Sequence, residues 1–290
     1  MEKYDFGDFG GVTGEDPFER GSYAGTPEDQ CLSSPRGDVY YWVTRSGAEN
    51  APWLVLLHGA GMDHTVFDAV TETFSRSVNC IALDLPLHGL SENYGAFAPD
   101  SCAYDVRDIL NNEGVDRAVV AGHCIGGVAA QAFAAEFPER CAGLALIDTF
   151  PFGQELCHYG DFRWLDKTAG LLRVMPARAF AGALAGAFAA TTEGSRALYP
   201  VMAAQNTACA ADALADTLAA LSGTAVPDWD FPVLAMVGEG DRVGRIRALN
   251  RAAAARFGWK LATIPHAGHT PYLDNPSEFN AALEGFLRDL

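Results

Sequence analysis

The apolar run Val119-Val120-Ala121 leads into Gly122-His123-Cys124-Ile125-Gly126-Gly127 and then into an alanine-rich stretch. This pattern calls for a strand that turns sharply into a helix, with a cysteine at the turn. Such an elbow strains the backbone of its central residue and brings neighbouring chain very close, so it needs residues without side chains on either side. Gly122 and Gly126 supply them. Cys124 then stands at the N-terminus of the helix, where unpaired N–H groups and the helix dipole favour a thiolate over a thiol. A cysteine can equally pack as a small hydrophobe, and a short motif recurs by chance. The rest of the chain decides between the two.

Three further strand ends fall in a telling order. Trp53 to Leu57 runs into His58-Gly59-Ala60-Gly61, Val233 to Val237 runs into Gly238-Glu239-Gly240-Asp241, and Leu261 to Ile264 leads to Pro265-His266-Ala267-Gly268-His269. A nucleophile, an acid and a histidine thus follow one another, each just beyond a strand. Together with Asp84-Leu85-Pro86-Leu87-His88-Gly89-Leu90-Ser91 and the run from Gly268 to Pro276, the chain from about residue 30 to 290 resembles the α/β-hydrolase superfamily, whose order is nucleophile, Asp or Glu, then His. The likeness is strongest to its cap-bearing esterases, C–C hydrolases and haloperoxidase-like enzymes.

The resemblance implies a mostly parallel eight-stranded sheet with helices on both faces and a helical cap inserted after strand 6. The pattern of short apolar segments agrees: 53–57, 79–83, 117–121, 143–147, 233–237 and 261–264 alternate with helical stretches, as in a parallel sheet covered on both faces. Gln30 to Ser34 and Val39 to Thr44 flank Pro35-Arg36-Gly37-Asp38, which predicts an antiparallel hairpin at the sheet edge. Between Asp148 and about Pro232 the alternation stops. Arg178 to Leu184 and Ala210 to Leu221 read as helices there, with Pro176, Pro200 and Pro227 as breaks. The expected division is an acidic, glycine-rich extension over 1–27, a core over 28–149 and 228–290, and a cap over 150–227.

Composition narrows the class of function. With 290 residues, 49% of them hydrophobic, the chain can bury a large core. A formal charge of −17 argues against a nucleic-acid or anionic-membrane surface. The N-terminus lacks the positive start and apolar run of a secretory signal, so a cytoplasmic location is expected. The seven cysteines, at 31, 80, 102, 124, 141, 157 and 209, form neither metal-type pairs nor an evident disulfide framework. Neither a metal nor a cofactor is expected. The partner is a small-molecule acyl substrate, and a homodimer is compatible with the sequence.

By the resemblance, Cys124 is the nucleophile, His269 the base that directly follows Gly268, and Asp241 the acid that orients it. His266 is the rival base and is read as a loop-shaping residue. Asp148 is the rival acid, because some relatives draw their carboxylate from the end of the preceding strand; its plainer reading is a structural or pocket-rim carboxylate. Glu239 and Arg242 are then ordinary loop residues. Backbone N–H groups of Ala60 and Ile125 are the expected oxyanion donors. Gly61, Asp63, His64, Asp148, Phe180 and Leu184 are candidate substrate contacts, while His58 and His123 read as structural. Leu87 departs from the family's loop, which has glycine there. A cysteine nucleophile leaves hydrolysis and acyl transfer both open, since water or an amine, alcohol or thiol can open a thioester. Substitution of an original serine by cysteine, and a ligand receptor on the same fold, also remain open.

Overall fold

The computed structural model describes residues 28–91, 95–153, 170–171, 173–221 and 228–290. The expected extension over 1–27 lies outside the described residues, as do 154–169 and 222–227 of the expected cap. Eight strands form one sheet: β1 (Glu28–Ser34), β2 (Gly37–Thr44), β3 (Trp53–Leu57), β4 (Asn79–Leu83), β5 (Ala118–His123), β6 (Cys141–Ile147), β7 (Val233–Gly238) and β8 (Lys260–Ile264). Their order across the sheet is β1-β2-β4-β3-β5-β6-β7-β8. The hairpin β1–β2 and the pair β2–β4 are antiparallel, and every other neighbouring pair is parallel.

The central strands β3 to β7 are largely apolar because both faces of the sheet are covered there. Successive residues point to opposite faces, so Val55, Leu57, Ile81, Leu83, Val120, Leu144 and Leu146 enter one core. Leu54, Leu56, Cys80, Ala82, Val119, Ala145 and Ile147 enter the other. Helices α1 (Asp68–Phe74), α2 (Pro99–Asn112) and α3 (Ile125–Glu136) follow β3, β4 and β5 in the chain. The first core is closed by Cys102, Val106 and Ile109 of α2 and Ile125, Val128 and Phe133 of α3. The second receives Val70 and Phe74 of α1.

Between β6 and β7 the chain departs from the alternation, as expected of a cap after strand 6. Helices α4 (Ala177–Phe188), α5 (Thr192–Ala203) and α6 (Thr207–Leu221) stand there. One expected break fails: Pro200 lies inside α5. A proline removes one N–H and leaves one carbonyl without its helical partner, but α5 ends three residues later, and Leu198 and Met202 on either side of Pro200 are fully buried. Packing of that face outweighs the local penalty. The chain returns to the sheet and ends with α7 (Ile246–Phe257), the short α8 (Pro271–Asp274) and α9 (Pro276–Arg288).

Two side chains fasten the insert to the core. Gln205, at the end of α5, donates from Nε2 to Asp63 Oδ2 at 2.9 Å and accepts from Gly89 N–H at 3.0 Å. Asp274 accepts from Ala190 N–H, Thr191 N–H and the Thr191 hydroxyl, at 2.9, 2.9 and 2.8 Å, and from Gly268 N–H at 2.8 Å. A single carboxylate therefore ties the α4–α5 turn to the loop that carries His269.

The elbow sets the tightest packing. A Cβ on Gly126 would run into the Leu57 and His58 carbonyl oxygens, and one on Gly122 into the Gly126 carbonyl, all of them backbone atoms that cannot rotate away. Gly285, by contrast, is an exposed residue of α9 whose added Cβ would meet nothing within 4 Å. Gly126→Ala is therefore expected to lower the unfolding free energy by at least about 2 kcal/mol. Gly285→Ala should raise it by up to about 1 kcal/mol through reduced chain entropy. Urea unfolding of the two variants checks this, and similar midpoints would contradict it.

Candidate active site

Cys124 sits between the end of β5 and the start of α3 with φ 53° and ψ −116°. A positive φ is costly for a residue with a side chain, and the surroundings over-determine it. Cys124 N–H donates to the Ile147 carbonyl at 3.1 Å, and the Thr149 hydroxyl donates to the Cys124 carbonyl at 2.6 Å. Cys124 is 7% exposed and lines a cavity of about 690 Å³. Ile125, directly after it, is the first residue of α3, so its N–H has no carbonyl four residues back within the helix. Ala60, whose backbone is the other expected donor, lines the same cavity.

His269 and Asp241 meet beside the thiol. His269 Nδ1 donates to Asp241 Oδ2 at 3.2 Å with both side chains fully buried. Asp241 also accepts from Val243 N–H at 2.8 Å through its other oxygen. His269 Nε2 is buried and has no hydrogen-bond partner among the described residues. Burial alone would lower the imidazole's pKa, but the charge and hydrogen bond of Asp241, with the neighbouring Cys124 thiol, hold it well above its usual value. Burial likewise pushes Asp241 upward, and His269 with the Asp148 carboxyl overcomes this to keep it below the ordinary range.

Asp148 follows β6 at φ 38° and is 0% exposed. Gly238 N–H lies 3.1 Å from both of its oxygens, and its carboxyl, that of Asp241 and the imidazole lie within 4.8 Å of one another. Burial and the adjacent Asp241 charge hold Asp148 well above the ordinary carboxylate range. Two carboxylates this close in a sealed interior do not both ionise. Asp241 keeps the negative charge because its hydrogen bond to His269 is the one that benefits from it, and Asp148 stays neutral. The trio has the donor types of a cation site, but the Asp241 carboxylate is already engaged by the imidazole.

The other histidines near the site are brackets for the backbone. His58 Nε2 accepts from Leu85 N–H at 2.9 Å, His88 Nε2 accepts from Gly61 N–H at 3.0 Å, and His123 Nε2–H donates to the His269 carbonyl at 2.7 Å. All three are fully buried, which favours the neutral ring. Burial lowers the His58 pKa to about 4 and that of His88 to about 3, and puts His123 well below its usual value. His266 is exposed, at φ 57°, with its N–H facing Glu239.

The candidate substrate contacts divide. Phe180 and Leu184 line the cavity. Gly61 stands behind Phe180, whose ring would be 2.9 Å from a Cβ on the glycine. Asp63, His64 and Asp148 are not in the wall. Asp63 caps a short turn at Thr65 N–H and holds Gln205. His64 bonds Asp84 at 2.8 Å and stacks on Trp42 with ring centroids 3.3 Å apart. Asp63 and His64 follow the turn after β3 in the chain, yet their hydrogen bonds point them into the protein. The lining that sequence reading missed includes Phe150, Leu214, Val243 and Arg242. Leu214 belongs to a helix that was legible, but which helical face would roof the thiol was not.

The chain matches the alpha/beta hydrolase family over residues 54–282. It belongs to that family. Its relatives include the pimeloyl-[acyl-carrier protein] methyl ester esterase of Chromobacterium violaceum, 30% identical over 81% of this chain and 94% of that protein. A thermophilic esterase from Thermogutta terrifontis superposes with a TM-score of 0.72 at 22% identity, covering 90% of this chain and 98% of the other. An enol-lactonase from Burkholderia xenovorans LB400 superposes with a TM-score of 0.73 at 19% identity, covering 89% and 100%. Among the described residues no helix is long and apolar enough to cross a membrane.

Two predictions follow from these charges. Asp241→Asn should lower kcat by about three orders of magnitude or more by mispositioning the imidazole, whereas Asp148→Asn, which keeps a neutral side chain of the same shape, should cost less than tenfold; the reverse ranking would make Asp148 the orienting acid. His58 and His88 are neutral when folded and take up protons when unfolded below about 6.5. Their contribution to stability is thus complete above that pH and is lost as pH falls toward about 4 and 3 respectively. His88→Gln should flatten the dependence of unfolding free energy on pH between about 6 and 4.5 by roughly one proton, or about 1.4 kcal/mol per pH unit. An unchanged slope in denaturant titrations would contradict it.

Proposed function

We propose that this member of the alpha/beta hydrolase family cleaves a small, largely apolar ester, thioester or lactone through an acyl-cysteine intermediate, with Cys124, His269 and Asp241 as nucleophile, base and orienting acid. The observation that carries the reading is the buried His269 Nε2, which has no other hydrogen-bond partner among the described residues while the Cys124 thiol acts on its imidazole.

His269 takes the thiol proton, and the Cys124 thiolate attacks the acyl carbon. The carbonyl π electrons move onto oxygen, where Ala60 and Ile125 N–H groups can each stabilise the oxyanion by roughly 3 kcal/mol. Collapse expels the alkoxide or thiolate, which takes the proton from His269. Water then gives a proton to His269 and its oxygen to the acyl carbon, a second oxyanion collapses, and the sulfur leaves and recovers its proton. Asp241 favours the imidazolium in both halves of the cycle. The high imidazole pKa suits a cysteine partner, because the cationic ring stabilises a thiolate beside it.

Substrate choice is assigned to the insert. Phe180, Leu184, Ala210 and Leu214 roof the cavity, and Phe188 packs edge-on against the His269 ring with centroids 4.7 Å apart. Each well-buried methylene of an acyl chain contributes roughly 0.8 kcal/mol, so turnover should rise with chain length until the cavity is full. Cys31, Cys80, Cys102, Cys124 and Cys141 are free thiols, which fits a reducing cytoplasm.

Limited iodoacetamide treatment with peptide mapping should label Cys124 before Cys80, Cys102 and Cys141, whose burial raises their pKa, and turnover should be lost in step. Nitrophenyl esters and acyl thioesters should leave an acyl adduct on the intact protein that Cys124→Ala abolishes while remaining folded. A folded Cys124→Ala variant with full activity would overturn the reading. Preferential capture of the acyl group by an added amine or alcohol over water would make the enzyme an acyltransferase. A ligand bound without any adduct would make it a receptor.

A further inference from the structure

The cavity above Cys124 is walled by phenylalanine, leucine, alanine, valine and glycine. Among the described residues that line it, Arg242 is the one charged side chain, and no acidic residue joins it. Arg242 is exposed, and among the described residues it has no hydrogen-bond or ion-pair partner. Other arginines of the fold are engaged: Arg36 with Asp105, Arg45 with Glu113, Arg173 with Asp212 and Arg288 with Glu284.

The backbone that carries Arg242 is held in place. Gly240 N–H donates to the Ala267 carbonyl at 2.8 Å, Asp241 N–H to the Gly238 carbonyl at 3.2 Å, and Val243 N–H to Asp241 Oδ1 at 2.8 Å. The guanidinium is therefore tethered next to the triad acid by a rigid loop while its own donors remain free for a ligand. Charge elsewhere sharpens its effect. A chain with a formal charge of −17 repels anions at long range, so an anionic ligand gains at this mouth what it is denied over the rest of the surface. A planar guanidinium also matches carboxylate and phosphate oxygens in a bidentate manner.

We infer that Arg242 is a specificity-determining anion site at the mouth of the catalytic cavity, and that the acyl donor carries an anionic oxygen group, a carboxylate or phosphate, beyond its apolar acyl chain. This inference rests on the acyl chemistry proposed for Cys124 only in naming the ligand as an acyl donor. The anion has two possible sources: the far end of the acyl chain, as in a dicarboxylic half-ester, or the leaving group, as in a phosphorylated thiol ester.

Binding and turnover test it separately. In Cys124→Ala protein, calorimetry with a half-amide of a medium-chain dicarboxylic acid and with the neutral alkanamide of equal length reads recognition without chemistry, as does hexanoyl-coenzyme A against the neutral hexanoyl-N-acetylcysteamine. At least one anionic ligand of the two pairs should bind tenfold or more tighter than its neutral counterpart, less so in high salt. Adding Arg242→Gln should remove that ratio, and Arg242→Lys should restore part of it. In the Cys124 enzyme, the ratio of kcat/KM for the anionic over the neutral donor should fall at least tenfold in Arg242→Gln, through KM. Discrimination confined to the half-amide pair puts the anion on the acyl chain, and discrimination confined to the thioester pair puts it on the leaving group. Equal binding within both pairs, or a preference that Arg242→Gln leaves unchanged in protein of unaltered melting temperature, overturns the inference. Loss of turnover with the binding ratio intact would instead count against the acyl chemistry alone.

Discussion

The close approach of α3 to the end of β3 governs the site. Gly126 lies against the carbonyls of Leu57 and His58, and Gly122 lies against Gly126. With backbone packed on backbone at this point, the turn between β5 and α3 has little freedom, and Cys124 is forced to φ 53°. The thiol thereby faces the cavity beside Ala60 of the turn that follows β3, with Ile125, the first residue of α3, directly after it. A side chain at either glycine would push these backbones apart and shift Cys124 with them. Strain at Cys124 is offset by the bonds its peptide groups make with Ile147 and Thr149.

Charge is distributed by burial rather than by residue type. His58, His88 and His123 are spent as neutral donors and acceptors for backbone groups, because a charged ring in so dry an environment would be costly. Their targets include Gly61 in the turn after β3 and the carbonyl of His269 itself, so these rings set the positions of backbone around the Cys124 cavity. Of the trio around Asp241, one carboxyl is held neutral, one is ionised, and the imidazole hydrogen-bonds the ionised one. The arrangement keeps a single ionised carboxylate, hydrogen-bonded to the imidazole, at the centre of an otherwise apolar interior.

The insert is coupled to this centre through main-chain bonds as well as through the lining side chains. His269 N–H donates to the Phe188 carbonyl at 2.6 Å, and Asp274 joins the loop of His269 to the α4–α5 turn. A shift of α4 would therefore be felt by the imidazole. Substrate fit and imidazole placement are linked by the same few residues.

The sequence alone determined a good deal. The apolar strand cores, the glycine pair at the elbow and the order Cys124, Asp241, His269 were readable because sheet burial, steric crowding and chain order leave direct marks on residue type. The hairpin and the helices of the insert were equally readable, except that Pro200 falls within α5, where burial of Leu198 and Met202 outweighs its local effect. Tertiary structure alone decided the direction of the polar side chains. Asp63, His64 and Asp148 follow strands near the site, but hydrogen bonds to Gln205, Asp84 and Gly238 turn them into the protein. Arg242 reads as ordinary loop and comes to line the cavity. Local spacing states which residues leave a strand together, whereas the wall of a cavity is assembled from segments far apart in the chain, and only their packing settles which side chains face the thiol.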